Sequence, residues 1–144
     1  MIGAFIAKKT IANSFEALNQ HNLSKFMSTW RDDGVWVYPG EIAERSGTFK
    51  GRDAVEDWFR NFFDQFPKIQ FDIQSICVQN IFDLTGTNVV AVLWDLQFTN
   101  RDGRIGKNSG VSEIHAKGGK AFLVKDFMFD QGEKNFKLMW GAAE

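Results

Sequence analysis

The sequence predicts an α+β fold in which N-terminal helices pack on one face of a curved antiparallel sheet. Apolar residues follow helical spacing near the start of the chain, and a Phe- and Trp-rich helical stripe covers residues 55–66. The second half contains long β-rich segments separated by turn signals. Helices followed by a run of strands are typical of this fold class.

The first two helices are predicted from apolar spacing and one cap. Residues 4–20 carry Ile11, Phe15 and Leu18 at helical intervals. Asn22 is a candidate N-cap for a short second helix. In that helix the i, i+3, i+4 and i+7 positions are held by Leu23, Phe26, Met27 and Trp30.

The first strand and the third helix come next. Gly34 opens the β-rich run VWVYPG, which Pro39 and Gly40 stop, and a polar loop, EIAERSGTFKG, follows. Asp53 begins an acidic helical turn, and Pro67 ends the helix. Its apolar stripe consists of Val55, Trp58, Phe59, Phe62, Phe63 and Phe66.

The remaining strands are four long segments. They are IQFDIQSICVQNIF, VVAVLWDLQFT, a stretch around GVSEIHA, and AFLVKDFMFD, separated by LTGTN, NRDG and KGGK. The tail, residues 131–144, stays open: Phe136, Leu138 and Trp140 alternate like a strand, but the piece is short. With no repeat or linker, we expect residues 1–144 to form one domain.

Composition excludes several function classes. The 144 residues carry a net charge of −1, which gives no electrostatic footprint for nucleic acid or an acidic membrane surface. Cys77 is the only cysteine, which excludes an internal disulfide and fits a reducing compartment, so we expect a cytoplasmic protein. The opening MIGAFIA lacks a basic leader, which argues against a signal peptide or membrane span. His21 and His115 lack metal-ligand spacing, so no metal is expected.

Two segments resemble a known superfamily. WRDDGVWVYPG, and above all GTFKGRDAVEDWF at residues 47–59, resemble the SnoaL-like branch of the nuclear transport factor 2-like superfamily. The resemblance covers roughly residues 5–130, leaving 131–144 as a tail. It implies a cone-shaped domain with a pocket for a small hydrophobic molecule, no cofactor, and a homodimer through the outer sheet face. Because the superfamily includes enzymes and binding domains, the fold does not fix the chemistry.

Ketosteroid isomerase is one relative whose chemistry can be compared residue by residue. Its general-base Asp falls on Tyr38, its oxyanion-hole Tyr falls on Ser14, and its second donor falls near Val111 and Ser112. A phenol with an ordinary pKa near 10 is a poor base at neutral pH. The sequence therefore does not predict a steroid isomerase.

Limonene-epoxide hydrolase, with two aspartates joined through an Arg, fits better. Asp95 lies eight residues before Gly103, as that family's middle-strand Asp does, and GKAFLVKDF places Asp126 at the last-strand position. Leu93 stands where the bridging Arg belongs. Val35 and Val37 replace the residues that hold the water. The resemblance implies an aspartate pair without its bridge.

Two interpretations of Asp95 and Asp126 stay open. Two carboxylates in one apolar cavity do not both ionise readily, so one pKa rises and that group becomes a usable acid. Alternatively, each lies at the surface, paired with Lys125, Lys107 or Arg104. Strand alternation places both on faces of mixed polarity, which does not decide between a pocket wall and a dimer face.

The expected function is cofactor-free acid/base catalysis of epoxide hydrolysis, cyclisation, dehydration or isomerisation, with Asp95 and Asp126 as the catalytic groups. The rival is a non-catalytic ligand-binding or dimerisation domain, which the absence of Arg at position 93 favours. A surface position for His115 and a core position for Phe62 are the simpler alternatives. The substrate contacts expected are Tyr38, His115, Ser14, Trp36, Phe62 and Leu93.

Overall fold

The computed structural model describes residues 2–140. Six strands and four helices follow one another over that range. Their order is α1 (Ile2–Asn19), α2 (Leu23–Met27), β1 (Trp30–Tyr38), β2 (Gly47–Lys50), α3 (Arg52–Gln65), β3 (Lys68–Val78), β4 (Asn88–Thr99), β5 (Ile105–Lys117), β6 (Lys120–Met128) and α4 (Gly132–Trp140).

The strands form one curved, unclosed sheet in the order β2-β1-β6-β5-β4-β3. β1 and β6 are parallel, and the other neighbouring strands are antiparallel. Helices α1 and α3 lie on the inner face, where α1 contacts β3 and α3 contacts β1. The α+β class predicted from the sequence is confirmed, and the helices and the inner face enclose the core.

Local sequence signals explain several element boundaries. Asn22 caps α2, since its Oδ1 accepts a hydrogen bond of 3.0 Å from the backbone N–H of Lys25. Helix α3 stops before Pro67, and its predicted stripe supplies Val55, Trp58 and other buried residues. β1 begins at Trp30, four residues earlier than the sequence indicated.

Two elements differ from the sequence expectation. The predicted loop at residues 41–51 contains β2, which pairs with β1 at the sheet edge. The tail forms helix α4 rather than a strand: Phe136, Met139 and Trp140 are buried at i, i+3 and i+4, while Leu138 is exposed. Apolar residues at 136, 138 and 140 fit a strand only if Met139 is ignored. Residues 141–144 of the predicted tail lie outside the described range.

Candidate functional site

A cavity of about 180 Å³ lies between the inner face of the sheet and helices α1 and α3. Its lining is mainly apolar and includes aromatic rings from β1, α3 and α4. An apolar cavity of about 150 Å³ can bind a molecule the size of benzene. At one end the lining residues Ile6 and Leu84 are exposed, whereas Tyr38 and Phe136 at the other end are buried. The cavity is therefore open beside the start of α1 and closed beside α4.

Asp126 projects into this cavity from β6. Its Oδ1 accepts a hydrogen bond of 2.6 Å from the hydroxyl of Ser112, the residue directly opposite on β5. The Ser112 oxygen accepts in turn from Trp94 Nε1 at 2.9 Å. Because the indole holds the serine oxygen as an acceptor, the serine proton is directed at the carboxylate. The three side chains form one chain of hydrogen bonds from β4 to β6.

The cavity changes the acidity of Asp126. Burial raises the pKa of this carboxyl from an ordinary value of 3.8 to about 7, and the Ser112 hydrogen bond opposes part of the rise. Removal from water penalises the charged form, whereas a donor to the carboxylate favours it. A group with a pKa near 7 is present in both protonation states at neutral pH, which is the property required of a general acid or base.

Two side chains that line the cavity carry a buried hydrogen-bond donor without a partner among residues 2–140. Tyr38 Oη and Trp36 Nε1 are buried and have no hydrogen-bond partner among residues 2–140, and both side chains line the cavity. A third such atom, His21 Nε2, lies elsewhere, in a ring contact with Phe63. An unsatisfied buried polar group costs about 1–3 kcal/mol, so an acceptor atom beside either donor would stabilise it.

The Tyr38 hydroxyl is kept protonated by its surroundings. Burial raises its pKa well above the ordinary value of 10.0, and the carboxylates of Asp126 and Glu133 raise it further. The phenol is thus a donor and not a base at neutral pH. Its ring is fixed by contacts with Trp36, Trp58 and Phe136.

Asp95 does not share the cavity, and the predicted pairing of two aspartates is wrong for a single chain. Asp95 is exposed, on the outer face of the sheet, where its Oδ1 accepts a 2.6 Å hydrogen bond from Ser109. The register pairs it with Asp72 on β3. Its neighbours Trp94 and Leu96 take the inner face instead. Of the two predicted aspartates, Asp126 lines the cavity and Asp95 does not.

The remaining predicted contacts divide between the two faces. Ser14, Trp36, Tyr38 and Phe62 line the cavity, although the hydroxyl of Ser14 already lies 3.4 Å from that of Thr29.

His115 and Leu93 are corrected, because neither lines the cavity. His115 Nε2 lies 3.0 Å from a Glu113 oxygen, and its ring contacts Phe122. Leu93 pairs with Val111 on the outer side of β4 and β5. Alternation shows which residues share a face of a strand, but it does not show which of the two faces is buried. The larger apolar side chains of the neighbouring positions decide that.

Two residues of the site were not identified from the sequence as contributors to it. In the sequence Trp94 is only part of the predicted strand VVAVLWDLQFT, and Ser112 is only the position near which the isomerase's second donor falls. The available signal was the alternation of Trp94, Leu96 and Phe98, three large apolar side chains that mark an inward face. The Trp94–Ser112 contact itself depends on strand register, which a single sequence does not reveal.

Residues 2–140 contain neither a metal-binding cluster nor a membrane-spanning helix. No group of three or more His, Cys, Asp or Glu side chains there is arranged to hold a metal ion. In the same part of the chain, no helix combines the length and the apolar character needed to cross a membrane.

Comparison with known proteins agrees with this fold. A NTF2-like protein of unknown function from Burkholderia pseudomallei has 19% identity and a TM-score of 0.77, covering 93% of this chain and 97% of that one. Bal32a from a soil-derived mobile gene cassette has 15% identity and a TM-score of 0.79, covering 96% and 98%. TerC, co-crystallised with polyporic acid, has 16% identity and a TM-score of 0.70, covering 85% and 91%. These likenesses establish the fold alone.

The fold is the one that NTF2-like proteins have. The family model for the SnoaL-like domain matches residues 11–124, and the chain belongs to that family. The resemblance identified from the sequence is thereby confirmed. No curated protein sequence matches this chain.

Proposed function

We propose that the protein binds a small, largely apolar molecule that carries an uncharged oxygen. Asp126 then moves a proton between two positions of this molecule, without a cofactor. The observation that carries the proposal is that three polar side chains, those of Asp126, Tyr38 and Trp36, line one apolar cavity. Asp126 supplies a carboxyl with a pKa near 7. Tyr38 and Trp36 supply donors that no other residue in the range 2–140 engages.

The arrangement suits proton abstraction next to a carbonyl group. The carboxylate of Asp126 removes a proton from the carbon beside the carbonyl, and the electrons of that C–H bond move onto the carbonyl oxygen. Tyr38 and Trp36 stabilise this oxygen by hydrogen bonds, an effect worth about 10²–10³ in rate for a single donor. The carboxyl of Asp126 then returns its proton to the same or another carbon, so no oxidant or reductant is needed.

Isomerisation and dehydration fit this site better than epoxide hydrolysis with two carboxylates. Asp126 is the only carboxyl at the closed end among the described residues that line the cavity, since Asp83 lies at the open end. One carboxyl that both accepts and donates a proton serves an isomerase. It does not serve a mechanism in which two acidic groups act at once.

Non-catalytic binding is the second candidate, and one observation favours it. Asp126 accepts a hydrogen bond from Ser112 and has no ion-pair partner among residues 2–140, so the same groups are able to hold a ligand oxygen without any reaction. TerC, which shares the fold, was co-crystallised with polyporic acid. Ligand binding is common to both candidates, and turnover separates them.

Hydrogen–deuterium exchange tests the proposal without a known substrate. In D₂O, we expect the protein to accelerate exchange next to the carbonyl of 2-octanone, followed by proton NMR. Asp126→Asn should reduce the rate to that of buffer, and Tyr38→Phe should lower it by about 10²-fold. Asp95→Asn is the control and should keep the full rate. Exchange that persists in Asp126→Asn would contradict the catalytic role, and ketone binding without exchange would favour the second candidate.

We also infer a homodimer through the outer face of the sheet. Phe127 and Phe129 are exposed there, and Leu93 and Val111 lie on the same face. Exposed apolar patches of this kind commonly mark protein interfaces.

A further inference from the structure

The open end of the cavity carries an unusual concentration of exposed apolar side chains. Ile2, Phe5 and Ile6 on the first turns of α1 are 70%, 68% and 56% exposed. Phe82 and Leu84, in the loop between β3 and β4, are 75% and 79% exposed. These five residues are called the mouth rim below. Scattered apolar residues need no explanation, but a contiguous group marks a surface that contacts another molecule.

The mouth rim is continuous with the cavity. Ile6 and Leu84 are exposed and line the cavity at the same time. Helix α1 and the loop touch through their backbones, because a Cβ placed on Gly3 would overlap the carbonyl oxygen of Asp83. The loop also rests on the turn between β5 and β6, where the Gly119 N–H donates to the Gly86 carbonyl at 3.1 Å.

The loop that carries Phe82 and Leu84 has a defined conformation. The Asp83 carboxylate accepts hydrogen bonds from the Thr85 backbone at 3.0 Å and from the Thr85 hydroxyl at 2.7 Å. These bonds lower the pKa of Asp83. The exposed side chains are thus presented by a structured turn, which reduces the entropy lost when a ligand contacts them.

The polar end of the cavity lies far from the mouth rim. Asp126 is seven residues from Gly119 in the chain, which corresponds to about 20 Å along an extended strand. The wall between them is apolar, with Val124 and Ala121 on β6 and Ile114 on β5. A volume of about 180 Å³ is only slightly larger than that of a cavity that binds benzene. Such a volume favours a single linear chain over a fused ring system.

We propose that the natural ligand is a long, linear molecule whose uncharged oxygen-bearing end lies at Asp126, Tyr38 and Trp36 and whose alkyl tail passes out across the mouth rim. This inference rests on the proposed function for the position of the oxygen. A cavity of about 180 Å³ is only slightly larger than one that holds benzene, so it encloses the oxygen-bearing end and the first part of the chain, and the rest of a longer tail lies across the mouth rim.

A homologous series of 2-alkanones with increasing tail length tests the proposal. Four tryptophans line the cavity, Trp30, Trp36, Trp58 and Trp94, so intrinsic fluorescence reports binding. Each buried methylene contributes about 0.8 kcal/mol, so Kd should fall about fourfold per carbon until the tail fills the cavity. Beyond that length the fall in Kd per added carbon should become smaller, because the mouth rim contacts the tail on one side only.

Variants of the mouth rim provide the discriminating measurement. Phe82→Ser and Leu84→Ser should weaken binding of the longest ketones several-fold and leave the shortest ones unchanged. Ile105→Ser is the matched control, since Ile105 is 65% exposed at the start of β5, is absent from the cavity lining, and should affect no ketone. Circular dichroism checks that each variant is folded.

The outcomes separate this inference from the proposed function. If short ketones bind in an Asp126-dependent way but affinity does not grow with tail length, the long-chain inference is wrong and the proposed function survives. If no ketone of any length binds, both fail. If the rim substitutions abolish self-association or vesicle binding and leave long-ketone binding unchanged, the mouth rim contacts a second copy or a membrane. The inference is then overturned.

Discussion

Replacing Asp126 by Asn should change the stability of the protein in a pH-dependent way. The carboxyl has a pKa of about 7 in the folded chain and an ordinary value of 3.8. Because the folded state holds the proton more tightly, this group contributes its full stability below about pH 4. That contribution is lost as the pH rises to 7. The slope in this window approaches 1.4 kcal/mol per pH unit.

The size of the effect follows from the same two values. About three pKa units correspond to about 4 kcal/mol, which is a large part of the stability of a domain this size. Asparagine carries no charge, and its side-chain oxygen can still accept from Ser112. At pH 8 the Asp126→Asn variant should therefore exceed the wild type by up to about 4 kcal/mol, and at pH 4 the two should be nearly equal.

Urea unfolding at pH 4, 5, 6, 7 and 8 measures this difference directly. The difference in unfolding free energy between Asp126→Asn and the wild type should grow steadily from pH 4 to 7 and then level off. The Asp95→Asn variant, altered on the exposed outer face, should keep the pH dependence of the wild type. A difference that is constant across the range, or that shrinks as the pH rises, would refute the reasoning that burial raises the pKa of the Asp126 carboxyl.

Three further predictions test the site, the sheet and the assembly. Ser112→Ala removes the donor to Asp126 and should raise the pKa of that carboxyl above about 7, as followed by carbon NMR. Gly110→Ala should lower the unfolding free energy by about 1–3 kcal/mol in urea titrations, because its Cβ would lie 2.4 Å from a β6 carbonyl oxygen; wild-type stability would contradict the close packing. Phe127→Asp should convert the inferred homodimer to a monomer in sedimentation equilibrium, and a wild-type protein already monomeric there would rule the dimer out.

The fold was predictable because its signals are local and repeated. Apolar spacing, the Asn22 cap and Pro67 each fix a boundary within a few residues. β2 was missed because it is four residues long, lies at the edge and has no buried residue to create an alternation. The conformation of α4 stayed open because a nine-residue segment with apolar residues at 136, 138, 139 and 140 fits both periods.

The candidate site was only partly predictable, because it depends on which strand positions face each other. Asp126 pairs with Ser112, and Asp95 pairs with Ser109. These two serines are three residues apart on β5, an odd number, so they project from opposite faces. Counting residues along the chain places each aspartate on its strand. It does not show which residue of the neighbouring strand lies opposite. Of the two aspartates that the family resemblance indicated, Asp126 lines the cavity and Asp95 does not, and the catalytic role of Asp126 stays a prediction.

The position of Asp95 also changes what Leu93 means. The absence of Arg at position 93 argued against catalysis while the two aspartates were expected to share a site. Leu93 lies on the outer face with Asp95, so an Arg there would reach neither Asp126 nor the cavity. Burial raises the pKa of Asp126, so this shift does not need repulsion from a second carboxylate or an Arg bridge. The acid/base proposal consequently depends on one carboxyl, its serine donor and two unpaired donors, and not on a pair.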